Sequence, residues 1–142
     1  MARAVDLLSR REYSRRELAQ KLKPHAESEE QLSALLDQLS ARTWQSDQRT
    51  AEQFIRAKSS QYGSLRLRQT LREKGLEPDV IEQALTEQND VETAQAVWQR
   101  KFGSLPETLQ EKARQVRFLA SRGFPAEVIR QVLAGSIDEF ND

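Results

Sequence analysis

Two twelve-residue stretches restrict this chain more than any other feature. Residues 74–85 read KGLEPDVIEQAL, and residues 122–133, which start 48 positions later, read RGFPAEVIRQVL. Gly, Val, Ile, Gln and Leu coincide at five of the twelve places, and four further pairs are conservative: Lys/Arg, Leu/Phe, Asp/Glu and Ala/Val. Self-similarity at this period marks stacked supersecondary units, none of which buries enough surface to be stable alone. The likeness spreads outward. Ala51, Phe54, Ile55 and Lys58 before the first copy match Ala94, Val97, Trp98 and Lys101 before the second. A weaker third copy opens the chain. There Ala4, Leu7, Leu8 and Arg11 match the first set at an offset of 47, and Leu18, Leu22, Leu32 and Leu36 match Leu67, Leu71, Ile81 and Leu85 at an offset of 49. The chain therefore divides into three units, 2–44, 47–87 and 90–135, with a short tail over 136–142.

Each unit reads as three short helices, because apolar residues recur at spacings of three and four and the ends carry start and stop signals. Ser14 to Glu17 and Ser104 to Glu107 have the spacing of a capping box, in which the Ser hydroxyl accepts from the backbone while the Glu reaches back. Ser28 with Gln31 is a third such pair. Gly75 and Gly123 stand where second helices end, since glycine takes the left-handed conformation there without a Cβ penalty. Pro78 and Pro125 then open the third helices. The third unit has about eight extra residues after Gly103, SLPETLQE, expected to extend its second helix towards the N-terminus. No stretch alternates with period two for long enough to suggest a strand. The fold expected is all-α, an elongated array of three tandem three-helix repeats resembling helix-turn-helix units.

Composition narrows the function. Charged residues make up 31% of the 142, and 22 basic side chains balance 22 acidic ones, so net charge alone predicts no polyanion partner. There is no cysteine, hence no disulfide and no thiolate metal site. No apolar run approaches a membrane span, and MARAVDLLSRREY lacks the apolar stretch of a secretion signal. His25 is the one histidine and reads as a solvent-facing connector. With no metal-ligand cluster, no GxSxG and no glycine-rich phosphate loop, neither a catalytic site nor a cofactor is expected. Trp44 and Trp98 are expected in the core, and Tyr62 and Phe102 as packing residues at helix ends.

The balanced total hides segregation. Residues 56–74 carry Arg56, Lys58, Arg66, Arg68, Arg72 and Lys74 against Glu73 alone, whereas residues 77–92 carry six acids and no base. Bases likewise precede acids in the first unit, and in the third with Arg130 as an exception. The second helix of each unit is thus basic. In the middle unit Leu67 and Leu71 share one stripe at i, i+4 while Arg68 and Arg72 share the next, so the helix can bury leucines and still show guanidiniums. An isolated pair of this kind reads as solvated surface charge, but its recurrence over three units sets a used face beside that reading on equal terms.

Residues 46–76, SDQRTAEQFIRAKSSQYGSLRLRQTLREKGL, resemble the centre of the RecX (OraA) family of RecA regulators. That family shows an acidic-Arg start, an apolar first helix, a glycine, and a run like RIRQEL-x-x-KGI, which stands here as Leu67 through Leu76. Arg100-Lys101-Phe102-Gly103 resembles its RKYG, and Arg117-Phe118-Leu119 with Arg122-Gly123-Phe124 its RFL-x-x-RGF. Ser14-Arg15-Arg16-Glu17-Leu18 with Leu22 is similar to its S-x-x-EL-x-x-KL. The match covers nearly the whole chain in order. It departs at Ser46-Asp47-Gln48-Arg49-Thr50-Ala51, where the usual DD-x-RFA keeps one acid and loses its aromatic residue. The basic N-terminal extension of some members does not precede the first helix, which weakens any contact made by such a segment.

The resemblance implies three three-helix repeats that bind RecA, above all its filament on single-stranded DNA along the helical groove. It implies modulation, mostly inhibition, of filament extension, ATPase, recombinase and coprotease activity, and through these of homologous recombination, DNA repair and the SOS response. On this reading the protein is a cytoplasmic monomer that is not an enzyme, needs no cofactor and binds DNA weakly by itself. The basic second helices become the expected contacts with RecA or the filament's DNA: Arg15, Arg16, Arg68, Arg72, Lys74, Arg114, Arg117 and Arg122. Two other readings stay open. One is a helical module that acts on nucleic acid directly, although its third helices are acidic where a recognition helix is basic or polar. The other is a helical-repeat adaptor for a different protein.

Overall fold

The structure, a computed structural model, describes residues 1–137. Among these residues there are nine α-helices, one short 3₁₀ turn and no strand. The helices are α1 (Ala2–Arg10), α2 (Arg15–Leu22), α3 (Glu29–Ala41), α4 (Asp47–Lys58), α5 (Ser64–Glu73), α6 (Pro78–Ala84), α7 (Asp90–Lys101), α8 (Leu109–Ser121) and α9 (Ala126–Val132). His25 ends the exposed 3₁₀ turn Lys23–His25. The expected tail continues past Ile137, and its remaining residues lie outside those described.

The start and stop signals act locally as their chemistry requires. Ser14 caps α2 with a complete capping box: its hydroxyl accepts from the Glu17 N–H at 3.1 Å, and the Glu17 carboxylate accepts from the Ser14 N–H at 2.9 Å. Ser28 caps α3 by accepting from the Gln31 N–H, but Gln31 reaches one residue further back, to the Glu27 N–H at 2.6 Å. The expected cap at Ser104 is displaced. Thr108 caps α8, accepting from the Glu111 N–H at 3.1 Å, while the Glu107 N–H donates to the Glu111 carboxylate at 2.9 Å. Of SLPETLQE, only the last three residues are helical. Pro106 explains this, since a proline biases the residue before it away from the helical region. Pro78 is the first residue of α6, and Pro125 is the cap residue of α9.

The described chain forms two compact units. One comprises residues 1–55 and 70–86; the other comprises 56–69 and the chain from 87 onward. In the first unit, Ala4, Tyr13, Leu18, Leu22, Leu36 and Leu39 form the core, with Leu7, Leu8, Leu32 and Leu35 half-buried against it. Val5 on α1 is 41% exposed. In the second unit the core is Ala94, Val97, Trp98, Leu119, Phe124, Ile129, Val132 and Leu133. Phe102 meets Phe118 edge-on with ring centres 5.4 Å apart. Trp98 is buried as expected, and its indole N–H donates to the buried Gln115 Oε1 at 2.8 Å. Gln115 in turn donates to the Ser104 carbonyl at 3.2 Å, which ties the SLPET loop to α8. Trp44 corrects the core expectation: it is 45% exposed, with the Arg42 guanidinium 5.2 Å from its ring centre.

Candidate functional site

Each compact unit contains one joint, where the N-terminus of a second helix meets the glycine turn that ends the next one. Two devices build it, and both occur twice. The first is a Gln-x-Asp clamp. Gln45 is buried, and its side-chain N–H₂ donates to the Tyr13 carbonyl at 3.3 Å and to Asp47 Oδ1 at 2.9 Å. Asp47 Oδ1 accepts the Arg15 N–H at 2.8 Å, holding the first turn of α2. In the second unit Gln88 donates to the Tyr62 carbonyl and to Asp90 Oδ1, which accepts the Ser64 N–H at 2.9 Å at the start of α5. The Ser64 hydroxyl adds a bond to the other Asp90 oxygen. The signal is visible as Gln45-Ser46-Asp47 and Gln88-Asn89-Asp90, 43 residues apart, but sequence reading passed over both.

The second device is the glycine turn. Gly75 and Gly123 have φ of +82° and +93°, the left-handed region of a helix C-terminus. The sequence explains that conformation but not the second demand made on these glycines. A Cβ on Gly75 would overlap the Arg16 side chain, and one on Gly123 would overlap Arg66 at its Cβ and backbone. The Ser14 hydroxyl donates to the Lys74 carbonyl at 2.6 Å beside Gly75. Beside Gly123, the Gly63 N–H donates to the Arg122 carbonyl at 2.8 Å and the Leu65 N–H to the Gly123 carbonyl at 3.0 Å.

The predicted contact residues divide into two groups. Arg15, Arg16, Lys74 and Arg122 are engaged by the joints. The Arg15 guanidinium pairs with Asp37 at 2.8 Å, and the Lys74 ammonium pairs with Glu17 at 3.0 Å and lies 5.6 Å from the Phe54 ring. Arg122 lies over the Tyr62 and Phe118 rings at 5.6 and 5.0 Å. Arg72 on α5 and Arg114 and Arg117 on α8 are exposed. Arg68 is half-buried and already engaged by a neighbouring group. Leu67 and Leu71 are fully buried, so the leucine stripe of α5 faces inward as its spacing requires.

Glu17 is the charge centre of the first joint. Burial alone would raise its pKa, but the Ser14 N–H, the Lys74 ammonium and the Arg11 guanidinium together hold the carboxyl below its ordinary value. A carboxylate with a lowered folded-state pKa contributes stability that is complete above the unfolded value of about 4.3 and fades as pH falls through the folded value. Between pH 5 and pH 3 the parent should therefore lose more stability than Glu17→Gln, read from urea midpoints at each pH. Equal losses would remove Glu17 from this role.

Among the described residues, no helix is long and apolar enough to cross a membrane. Comparison with known proteins adds a family. The model described as RecX, second three-helix domain, matches residues 46–85, and that for the third three-helix domain matches residues 87–133. The regulatory protein RecX of Chromobacterium violaceum is 55% identical over 138 residues, spanning 97% of this chain and 91% of that one. The regulatory protein RecX of Neisseria gonorrhoeae is 45% identical over 139 residues, with the same coverage. The crystal structure of RecX from Lactobacillus salivarius shares the fold at a TM-score of 0.81, with 20% identity over 93% of this chain and 90% of that one. The family models on the middle and C-terminal segments, together with relatives alike along almost the whole length, show that the chain belongs to the RecX family of regulatory proteins.

Proposed function

We propose that this protein regulates RecA without catalysis of its own, binding RecA and its filament on single-stranded DNA and restraining filament extension. RecA's ATPase, recombinase and coprotease outputs then fall, and with them recombinational repair and the SOS response. The observation that carries the reading is identity of 55% over nearly the full chain to a protein described as a regulatory RecX. The exposed arginines Arg16, Arg72, Arg114 and Arg117 support a cationic contact on the second helices α2, α5 and α8, and Arg68 stays with them as a candidate. Arg15, Arg16, Lys74 and Arg122 contribute through the stems and charges that the joints leave available. The cytoplasm, where RecA works, is the compartment this role requires, and a monomer satisfies it.

The test is RecA's single-stranded-DNA-dependent ATPase and strand exchange with and without the protein. Both should fall in a dose-dependent way, and an unchanged ATPase together with normal strand exchange would overturn the reading. Charge reversal at α5, Arg68→Glu with Arg72→Glu, should weaken filament binding by at least tenfold. Unaltered binding and ATPase modulation would exclude α5 as a contact.

A further inference from the structure

The two joints share a backbone plan but differ in charge. In the first, carboxylates answer the cations: Arg11 and Lys74 meet Glu17, Arg49 meets Glu12 at 3.1 Å, and Arg15 meets Asp37. Rings meet cations in both joints, Arg11 lying 3.7 Å from the Tyr13 ring centre in the first, but the second joint lacks these acids, and its cations meet rings and carbonyls. At the offset of 49 that pairs Tyr13 with Tyr62 and Leu18 with Leu67, the counterparts of Glu12 and Glu17 are Gln61 and Arg66, neither of them an acid. The Arg66 guanidinium lies 4.1 Å from the Tyr62 ring centre, and its Nη1 donates to the Ser121 carbonyl at 3.3 Å. Arg122 lies over Tyr62 and Phe118, the Lys101 ammonium lies 5.4 Å from Phe118, and Arg100 donates to the Ser60 carbonyl at 3.3 Å. Among the described residues none of these four cations forms a carboxylate ion pair. Asp90 belongs to the clamp in the second joint, as Asp47 does in the first, so it does not alter the contrast.

A cation resting on a ring or a carbonyl has no neutralising charge beside it, whereas a cation paired with a carboxylate has its charge balanced locally. The second joint is therefore an uncompensated cationic patch, in which Arg66, Tyr62, Arg122, Phe118 and Lys101 alternate charge and ring at steps of 4.1 to 5.6 Å. A single nucleic-acid strand carries the complementary alternation of phosphate and planar base. Proteins that hold such strands without sequence preference combine a cationic path with flat groups on which bases stack, guanidinium planes included. An acidic peptide matches the charge of the patch but has no use for its rings.

We propose that this second joint is a binding surface for single-stranded nucleic acid, with Arg66, Lys101 and Arg122 contacting phosphates and the ring–guanidinium ladder taking bases. The inference deepens the regulatory reading by assigning the strand, rather than the recombinase, to this face. It is testable without RecA, so its failure would leave the regulatory reading untouched.

Fluorescence anisotropy would follow a labelled oligo(dT) titrated with the full chain at several salt concentrations. An abasic oligomer of equal length and an oligoglutamate peptide would serve as competitors. Arg66→Gln with Lys101→Gln keeps the Arg66 stem that packs on Gly123 while removing both charges. The double variant should bind oligo(dT) about tenfold more weakly. Its log–log salt slope should be shallower by about 1.4, since each single-strand phosphate contact contributes about 0.7. Arg3→Gln with Arg42→Gln, which removes two exposed charges elsewhere, should bind like the parent, and thermal melts would confirm that both variants fold. The abasic oligomer should compete several-fold less well than oligo(dT). The proposal is overturned by no binding of oligo(dT) at low salt, by equal losses in the two double variants, or by oligoglutamate competing as well as oligo(dT). The last result would reassign the patch to an acidic protein.

Discussion

Gly123→Ala should destabilise the chain by about 3 kcal/mol, seen as a fall in the urea midpoint at unchanged slope, and should be the most damaging of three glycine substitutions. Two costs combine. An alanine held at φ +93° costs roughly 1–2 kcal/mol, because its Cβ crowds the carbonyl that follows. The new methyl also meets Arg66 at its backbone N, 2.6 Å away, and at its Cα, 3.0 Å away, and backbone cannot swing aside. Overpacking of that kind adds roughly 1–3 kcal/mol. Gly75→Ala should cost less, about 2 kcal/mol, because its overlaps are all with the Arg16 side chain, whose outer part can move. Gly103→Ala isolates the conformational cost. Its φ is +74° but its nearest neighbour is the Gln99 carbonyl at 3.4 Å, so about 1 kcal/mol is expected. Equal losses at all three sites would mean that close approach at the joints contributes nothing.

Phe124→Ala, one residue further along, should cost about 3–5 kcal/mol, the range for removing a buried aromatic side chain. Phe124 is 2% exposed within the core of the second unit and closes against the Gly63 backbone, where an added Cβ would meet its ring at 2.6 Å. Deleting the ring opens a cavity that touches both the core and the joint. Guanidinium denaturation should show the loss directly. Phe102→Ala, at a half-buried ring packed on Phe118, is the reference and should cost visibly less. A loss under about 1 kcal/mol at Phe124 would show that the joint repacks around the gap.

Much of this fold was legible because its signals are local. Helical spacing, the Ser14 capping box and the glycine stops each depend on residues within one or two turns, and each acts in the structure as written. The errors arose where a neighbour outranked a local pattern. Ser104 matched the capping spacing, but Pro106 two residues later takes the loop away from the helix, and Thr108 has the same spacing four residues on. Trp44, expected in the core at the close of the first unit, follows the turn at Thr43, whose φ is +59°, and its ring remains 45% exposed beside Arg42. The basic character of the second helices was equally plain. Which arginines are tied up was not, since pairing partners such as Asp37 for Arg15 and Glu17 for Lys74 are distant in sequence. The cation–ring ladder escaped for the same reason: Arg66 and Arg122 were read as charges on separate helices, and Tyr62 as packing.

The Gln-x-Asp clamp has a consequence for how such chains can vary. In the first unit the clamp closes between Tyr13 and Gln45, 32 residues apart; in the second it closes between Tyr62 and Gln88, 26 apart. The difference of six is the difference between α3, with 13 residues, and α6, with 7. The same hydrogen bonds therefore tolerate a third helix longer by more than a turn and a half, about 9 Å of rise. Between these two units the joint that registers neighbours is insulated from the change in length of the third helix. The third helix is thus one part of the repeat that evolution can resize without re-engineering the connections.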